Sequence, residues 1–210
     1  MSLDTIINHL NSISDKNRLR KMERFGIDTT HALGISVKEL RLISKKIAKN
    51  HDLALSLWDT TIHEARMLAA LIDIPKKVTE EQMDEWAHDF NSWDLCDHSC
   101  FNLFDKTKFA RKKIDDWSES NEEFVKRAAF SLMAALAVHD KKSPNHYFED
   151  FFPVIVRESN DHRTYVKKAI SWSLRNIGKR NQSLNEKSIK LAKDISKQNN
   201  KNSLWIAKDV

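Results

Sequence analysis

The sequence predicts an all-α protein, and three observations carry that prediction. Only three glycines and three prolines occur among 210 residues, too few for the many turns of an all-β chain. Helix-start signals recur along the sequence, and no segment sustains the period-two alternation of strands. Related helical segments also repeat, which points to stacked antiparallel helix pairs.

Taken in order, the starts are regular. Ser/Thr-x-x-Glu/Gln, the spacing of a reciprocal capping box, occurs at Ser36/Glu39, Thr61/Glu64, Thr79/Gln82, Ser120/Glu123 and Ser183/Glu186, each followed by an amphipathic run. Ser143-Pro144 adds another start, with proline suited to the first helical position. Gly26 and Gly34 flank a short connector, Pro75 ends one helix and Gly178 lies near the end of a late one. The expectation is about ten to twelve helices with short loops.

The repeat is visible in His63–Ala70, Phe124–Ser131 and Tyr165–Trp172. Each carries a basic residue one turn into the helix (Arg66, Arg127, Lys168), followed by small and apolar residues. The second and third are 41 residues apart, a HEAT-type spacing. Such pairs stack into a superhelical solenoid whose second helices line a concave surface. The aligned basic residues then either form a positive, concave basic face or bridge neighbouring repeats through ion pairs. A single domain over 1–210 is expected, with diverged N-terminal helices to about residue 35, a repeat core over 36–198 and a tail over 199–210.

Composition narrows the function. Hydrophobic residues make up 40% and charged residues 31%, a globular balance, and the net charge of +5 permits a polyanionic partner without demanding one. No basic n-region with an apolar run opens the chain, and no stretch approaches the roughly 18 apolar residues of a membrane span. The two cysteines fit a reducing cytosol, so a cytoplasmic protein is expected. Glycine at positions 26, 34 and 178 only excludes phosphate-loop and dinucleotide motifs.

The stretch Asn91–Phe104 carries the chemistry. Trp93 and Asp97 are four apart, so a helix stands them on one face, a carboxylate beside an indole. Ser92 is placed to cap that helix. Trp172 lies one turn beyond Lys168, Arg127 occupies the matching position of the middle repeat, and Lys167, Lys168, Arg175, Lys179 and Arg180 cluster on one late helix and its end. Cys96, His98 and Cys100 lack a fourth ligand and a shared face, so no metal site is expected, and the cysteines read as small buried side chains. Trp58, Trp86, Trp117 and Trp205 read as packing residues, and the tail beyond Asn181 as one amphipathic helix, a polar loop and a last short segment without a functional signal.

Ser92–Asp97, Phe124–Phe130 and Val166–Arg175 resemble the DNA alkylation repair family, alkylpurine DNA glycosylases built from HEAT-like repeats, and the likeness runs from about Ser36 to Lys193. The resemblance implies a catalytic Asp97 with Trp93 and Trp172 flanking the lesion, and DNA contacts from Arg127, Lys126, Lys168 and Arg175. It implies excision of cationic N3- or N7-alkylated purines from duplex DNA with no metal or nucleotide cofactor; a monomer is expected separately, since a capped solenoid of this size can stand alone. The alternatives are a non-catalytic nucleic-acid-binding repeat protein and a protein-interaction scaffold.

Overall fold

A computed structural model describes residues 1–210. It holds fourteen α-helices, one 3-10 turn and no strand. The count exceeds the expectation partly because the segment after Ser143-Pro144 breaks into pieces of 5 and 7 residues, each too short to show a period of its own. The chain divides into two compact units, Met1–Lys108 and Phe109–Val210.

The first unit contains α1 (Leu3–Ser12), α2 (Lys16–Arg24), α3 (Val37–Lys46), α4 (His51–Asp59), α5 (His63–Ile72), α6 (Glu80–His88), α7 (Trp93–Asn102) and the 3-10 turn Phe104–Lys106. Its centre is α5, which packs on α3, α4 and α7 and buries 8 of its 10 residues. Ala65, Ala69 and Ala70 let those neighbours approach closely. Trp58 and Trp86 are buried and stack face to face at 3.8 Å, filling the space between α4 and α6.

The second unit contains α8 (Ala110–Ser118), α9 (Glu123–His139), α10 (Asn145–Glu149), α11 (Phe152–Glu158), α12 (Thr164–Gly178), α13 (Gln182–Ser196) and α14 (Lys201–Asp209). Here α9 is central, packed between α8 and α12 and buried without a break from Val125 to Ala137. From Ala128 to Ala137 it carries no charge on any face, as suits a helix that lies inside, and its alanines and Ser131 make room for both neighbours. The tail is helical: α14 packs on α12 and α13, and its Asp209 accepts from the Ser171 hydroxyl and pairs with Arg175 at 3.4 Å.

The capping boxes are partly realised. The Ser36 hydroxyl accepts from the Glu39 amide, and the Glu39 carboxylate accepts from the Ser36 amide. Thr79 accepts from the Gln82 amide at 3.1 Å. Three boxes do not form. Thr61 has φ +60° and lies outside α5, which starts after Ile62 without a side-chain cap. Ser120 accepts from the Glu122 amide ahead of α9. Ser183 lies inside α13, because Asn181 caps two residues earlier through the Leu184 amide. Pro144 is likewise the N-cap of α10 rather than its first residue.

Gly34 is indispensable for a different reason. Its φ is +78°, and a Cβ there would collide with the Asp15 carbonyl oxygen. Gly34→Ala is expected to cost about 1–3 kcal/mol from the backbone conformation alone, with the clash added. A thermal melt with an unchanged midpoint would contradict this.

Candidate functional site

Trp93 is the first residue of α7 and stands one turn above Asp97; both are half-buried. Ser92 is the N-cap by backbone position, but its hydroxyl makes no cap bond. The start of α7 is held instead from the connector between α2 and α3 and from α5. The Trp93 indole N–H donates to the Phe25 carbonyl at 2.9 Å. The Asn91 side-chain NH2 donates to the Asp28 carboxylate at 2.9 Å, and His63 Nε2 meets the Asp94 carboxylate at 3.0 Å.

The connector is itself pinned to α5. The fully buried Glu64 carboxylate accepts from the amides of Leu33, Gly34 and Ile35 at 2.8, 2.7 and 3.1 Å. The His63 amide donates to the His31 carbonyl. Glu64, noticed in the sequence as a partner for Thr61, therefore closes the connector rather than a helix end. Trp93 and Asp97 are thus set by a braced helix start, which is how a site keeps a side chain in one geometry.

Two histidines give this region opposite pH dependences. Burial disfavours charge on His63, but the hydrogen bond and charge of Asp94, with Glu64 and Asp28 behind, outweigh it and raise the pKa above 6.5. Burial also pushes Asp94 up, yet His63 holds it below 3.8. The stability from the pair is fully present just below the ordinary histidine pKa and is lost as pH rises through the raised value. His98 behaves in the opposite sense. Burial lowers it to about 4, although Nε2–H donates to the Met67 carbonyl. Its contribution is present above pH 6.5 and lost as pH falls toward 4, by about 3 kcal/mol in all. Stability is therefore expected to peak near neutrality. His98→Gln should flatten the acid limb and Asp94→Asn the alkaline limb in urea titrations at stepped pH; unchanged limbs would refute the assignments.

Cys96 and Cys100 are fully buried thiols outside any disulfide, and burial pushes Cys100 well above its usual range, which suits a packing residue rather than a nucleophile. No group of three or more His, Cys, Asp or Glu residues is arranged to hold a metal ion. No helix is long and apolar enough to cross a membrane.

In the second unit, Arg127 lies on α9, and Trp172, Lys168 and Arg175 lie on α12, the helix packed against it. Arg127 is buried and donates to the Tyr165 carbonyl at 2.5 Å. Lys126 is buried and paired with Glu158 at 2.6 Å and Asp161 at 3.7 Å. Lys168 is exposed, Trp172 half-buried, and Arg175 partly open beside Asp209. In the first unit Arg66 donates to the Trp58 carbonyl and to Asp89 and lies over the Trp58 ring at 5.2 Å. Of the three aligned basic residues, Arg66 and Arg127 therefore bridge neighbouring helices, and only Lys168 is free of that role.

Sequence reasoning missed the bracing roles of His63, Asp94 and the Phe25 carbonyl, and misplaced that of Glu64. Each acts across 30 or so residues of chain or more, where no period or local motif reports it.

Both units are built of packed helix pairs of the HEAT-like class. The chain belongs to the DNA alkylation repair enzyme family, whose pattern matches residues 6–203. A solved structure described as a new family of proteins related to the HEAT-like repeat DNA glycosylases, with affinity for branched DNA structures, shares the fold. It superposes with a TM-score of 0.81 at 21% identity, over 92% of this chain and 83% of that one. The uncharacterized protein Lin0241 of Listeria innocua is 22% identical over 201 residues, 94% of this chain and 88% of its own length. The uncharacterized protein Lmo0209 of Listeria monocytogenes is 23% identical over 136 residues, 63% of this chain and 61% of its own length.

Proposed function

We propose that the protein is a monofunctional DNA glycosylase that hydrolyses the N-glycosidic bond of cationic N3- or N7-alkylated purines in duplex DNA. The observation that carries this reading is the half-buried Asp97 one turn below Trp93 on a helix start braced by Phe25, Asp28 and His63. An alkylated purine already bears a positive charge. When its bond to C1′ breaks, the bonding pair goes to the base and neutralises it, so the leaving group needs no proton. Positive charge develops on the sugar instead.

A carboxylate set near that charge stabilises it and orients the attacking water, and preorganised charge of this kind is often the largest catalytic contribution. Water adds its oxygen to C1′ and releases a proton to solvent. Trp93 offers a π face to the cationic nucleotide, worth about 0.5–2 kcal/mol, and Trp172 is assigned the second. Lys168 and Arg175 are assigned the phosphate contacts, which set position and weaken with salt, while Arg127, buried against the Tyr165 carbonyl, is assigned the holding of α12 against α9. Lys126, tied to Glu158 and Asp161, contributes through the position it gives α9. The chemistry requires no metal or nucleotide cofactor, and one copy of the chain carries every assigned residue.

Chromatography of bases freed from methylated duplex DNA tests this. Release of 7-methylguanine or 3-methyladenine above the spontaneous rate supports it; none from folded protein that still binds the duplex overturns excision. That second result would favour DNA binding without catalysis, a reading supported by the described affinity of the structurally similar protein for branched DNA.

A further inference from the structure

The helix α2 has no buried residue, unlike every other helix of the fold. Over Lys16–Arg24 it carries five basic residues and one acid. Lys16, Arg18, Arg20, Lys21 and Arg24 are all exposed, and no ion pair engages any of them. Glu23, the one acid, is turned to the Thr29 hydroxyl at 2.9 Å. A helix that buries only Leu19 and Met22 in part and carries five bases outside any ion pair gains less from the fold than its neighbours, so its sequence answers to something outside it.

At its end stands Phe25, 69% exposed, the most exposed large hydrophobic side chain of the protein. Its backbone is held on both sides. Its amide donates to the Met22 carbonyl, and its own carbonyl receives the Trp93 indole N–H. A cavity lined by Asp15, Arg18, Lys21, Met22, Phe25 and Ile27 opens beside it. A single residue therefore joins a solvent-facing aromatic ring to the indole assigned to the lesion.

We propose that α2 and Phe25 form a second DNA-binding element, in which the basic side chains track phosphates of one strand and the Phe25 ring stacks on an unpaired base. Charge complementarity selects a polyanion, and the exposed ring at the end of the basic track selects one with π faces, which nucleic acid has and an acidic protein surface largely lacks. An unpaired base is favoured because no stacking or pairing need be broken to present it. The inference rests on the DNA-binding part of the proposed function and is independent of excision.

The test is binding of the full chain, across a salt series, to a duplex with a single bulged 2-aminopurine and to the fully paired duplex. Phe25→Ala keeps the carbonyl that holds Trp93. It is expected to weaken binding to the bulged duplex at least about fivefold, with the salt slope unchanged, and to abolish the fluorescence change of the 2-aminopurine. Phe25→Trp should restore both. Arg20→Ala with Arg24→Ala should lower the slope of log affinity against log salt by about 0.9 for each phosphate no longer neutralised, on both duplexes. Wild type that binds both duplexes while all variants match it overturns this inference and leaves the proposed function standing. Wild type that binds neither overturns both.

Discussion

Replacing Glu64 with alanine is expected to destabilise the first unit by at least about 3 kcal/mol, a large fraction of the stability of an ordinary domain. The carboxylate is 0% exposed and is the acceptor for three successive backbone amides. Truncation leaves those donors buried without partners, each costing about 1–3 kcal/mol, less what water recovers by entering the gap. Glutamine is the informative companion. In Glu64→Gln one oxygen still accepts from two amides, while the new NH2 group faces a third N–H and repels it, so the loss should be intermediate. Urea unfolding reads both variants. Equal stability of wild type and Glu64→Ala, at unchanged slope, would show that the connector does not need this brace.

Replacing Asp97 with asparagine should lower the rate of base release by at least about tenfold while DNA affinity stays within a factor of about two. Asparagine keeps the shape of the side chain, removes its charge and exchanges one acceptor oxygen for a donor NH2 group. If the carboxylate works by stabilising positive charge on the sugar, the effect falls on the chemical step and leaves binding alone. A loss of affinity with an unchanged single-turnover rate would instead place Asp97 in the binding surface.

Much of the fold was readable because helix signals are local. Ser36/Glu39 forms its box as spaced, and the scarcity of glycine and proline correctly excluded a β architecture. Thr61, Ser120 and Ser183 satisfy the same spacing and do not cap, since a motif of two residues cannot see a competing cap such as Asn181 or a backbone turn with φ +60°. Trp93 over Asp97 was readable for the same reason as the boxes: a four-residue spacing is one helical turn. The braces were not. His63 reaches Asp94 across 31 residues and Trp93 reaches Phe25 across 68, and nothing periodic connects them. Charge alone also could not separate a basic face from bridges between helices. Burial does so: it puts Arg66 and Arg127 to work between helices and leaves Lys168 in solvent.

The braced start of α7 also explains why the region should tolerate changes at the surface better than changes behind it. Asp94, paired with His63, stands behind it three positions before Asp97.

Single-turnover release of 7-methylguanine from one methylated duplex, by wild type and Asp97→Asn in parallel, tests the central claim most directly. Wild-type release above the spontaneous rate, with the variant at least about tenfold slower at equal DNA occupancy, is the predicted result. Equal release by the two proteins would contradict the role of Asp97, and no release by folded, DNA-bound wild type would contradict the glycosylase itself for this lesion.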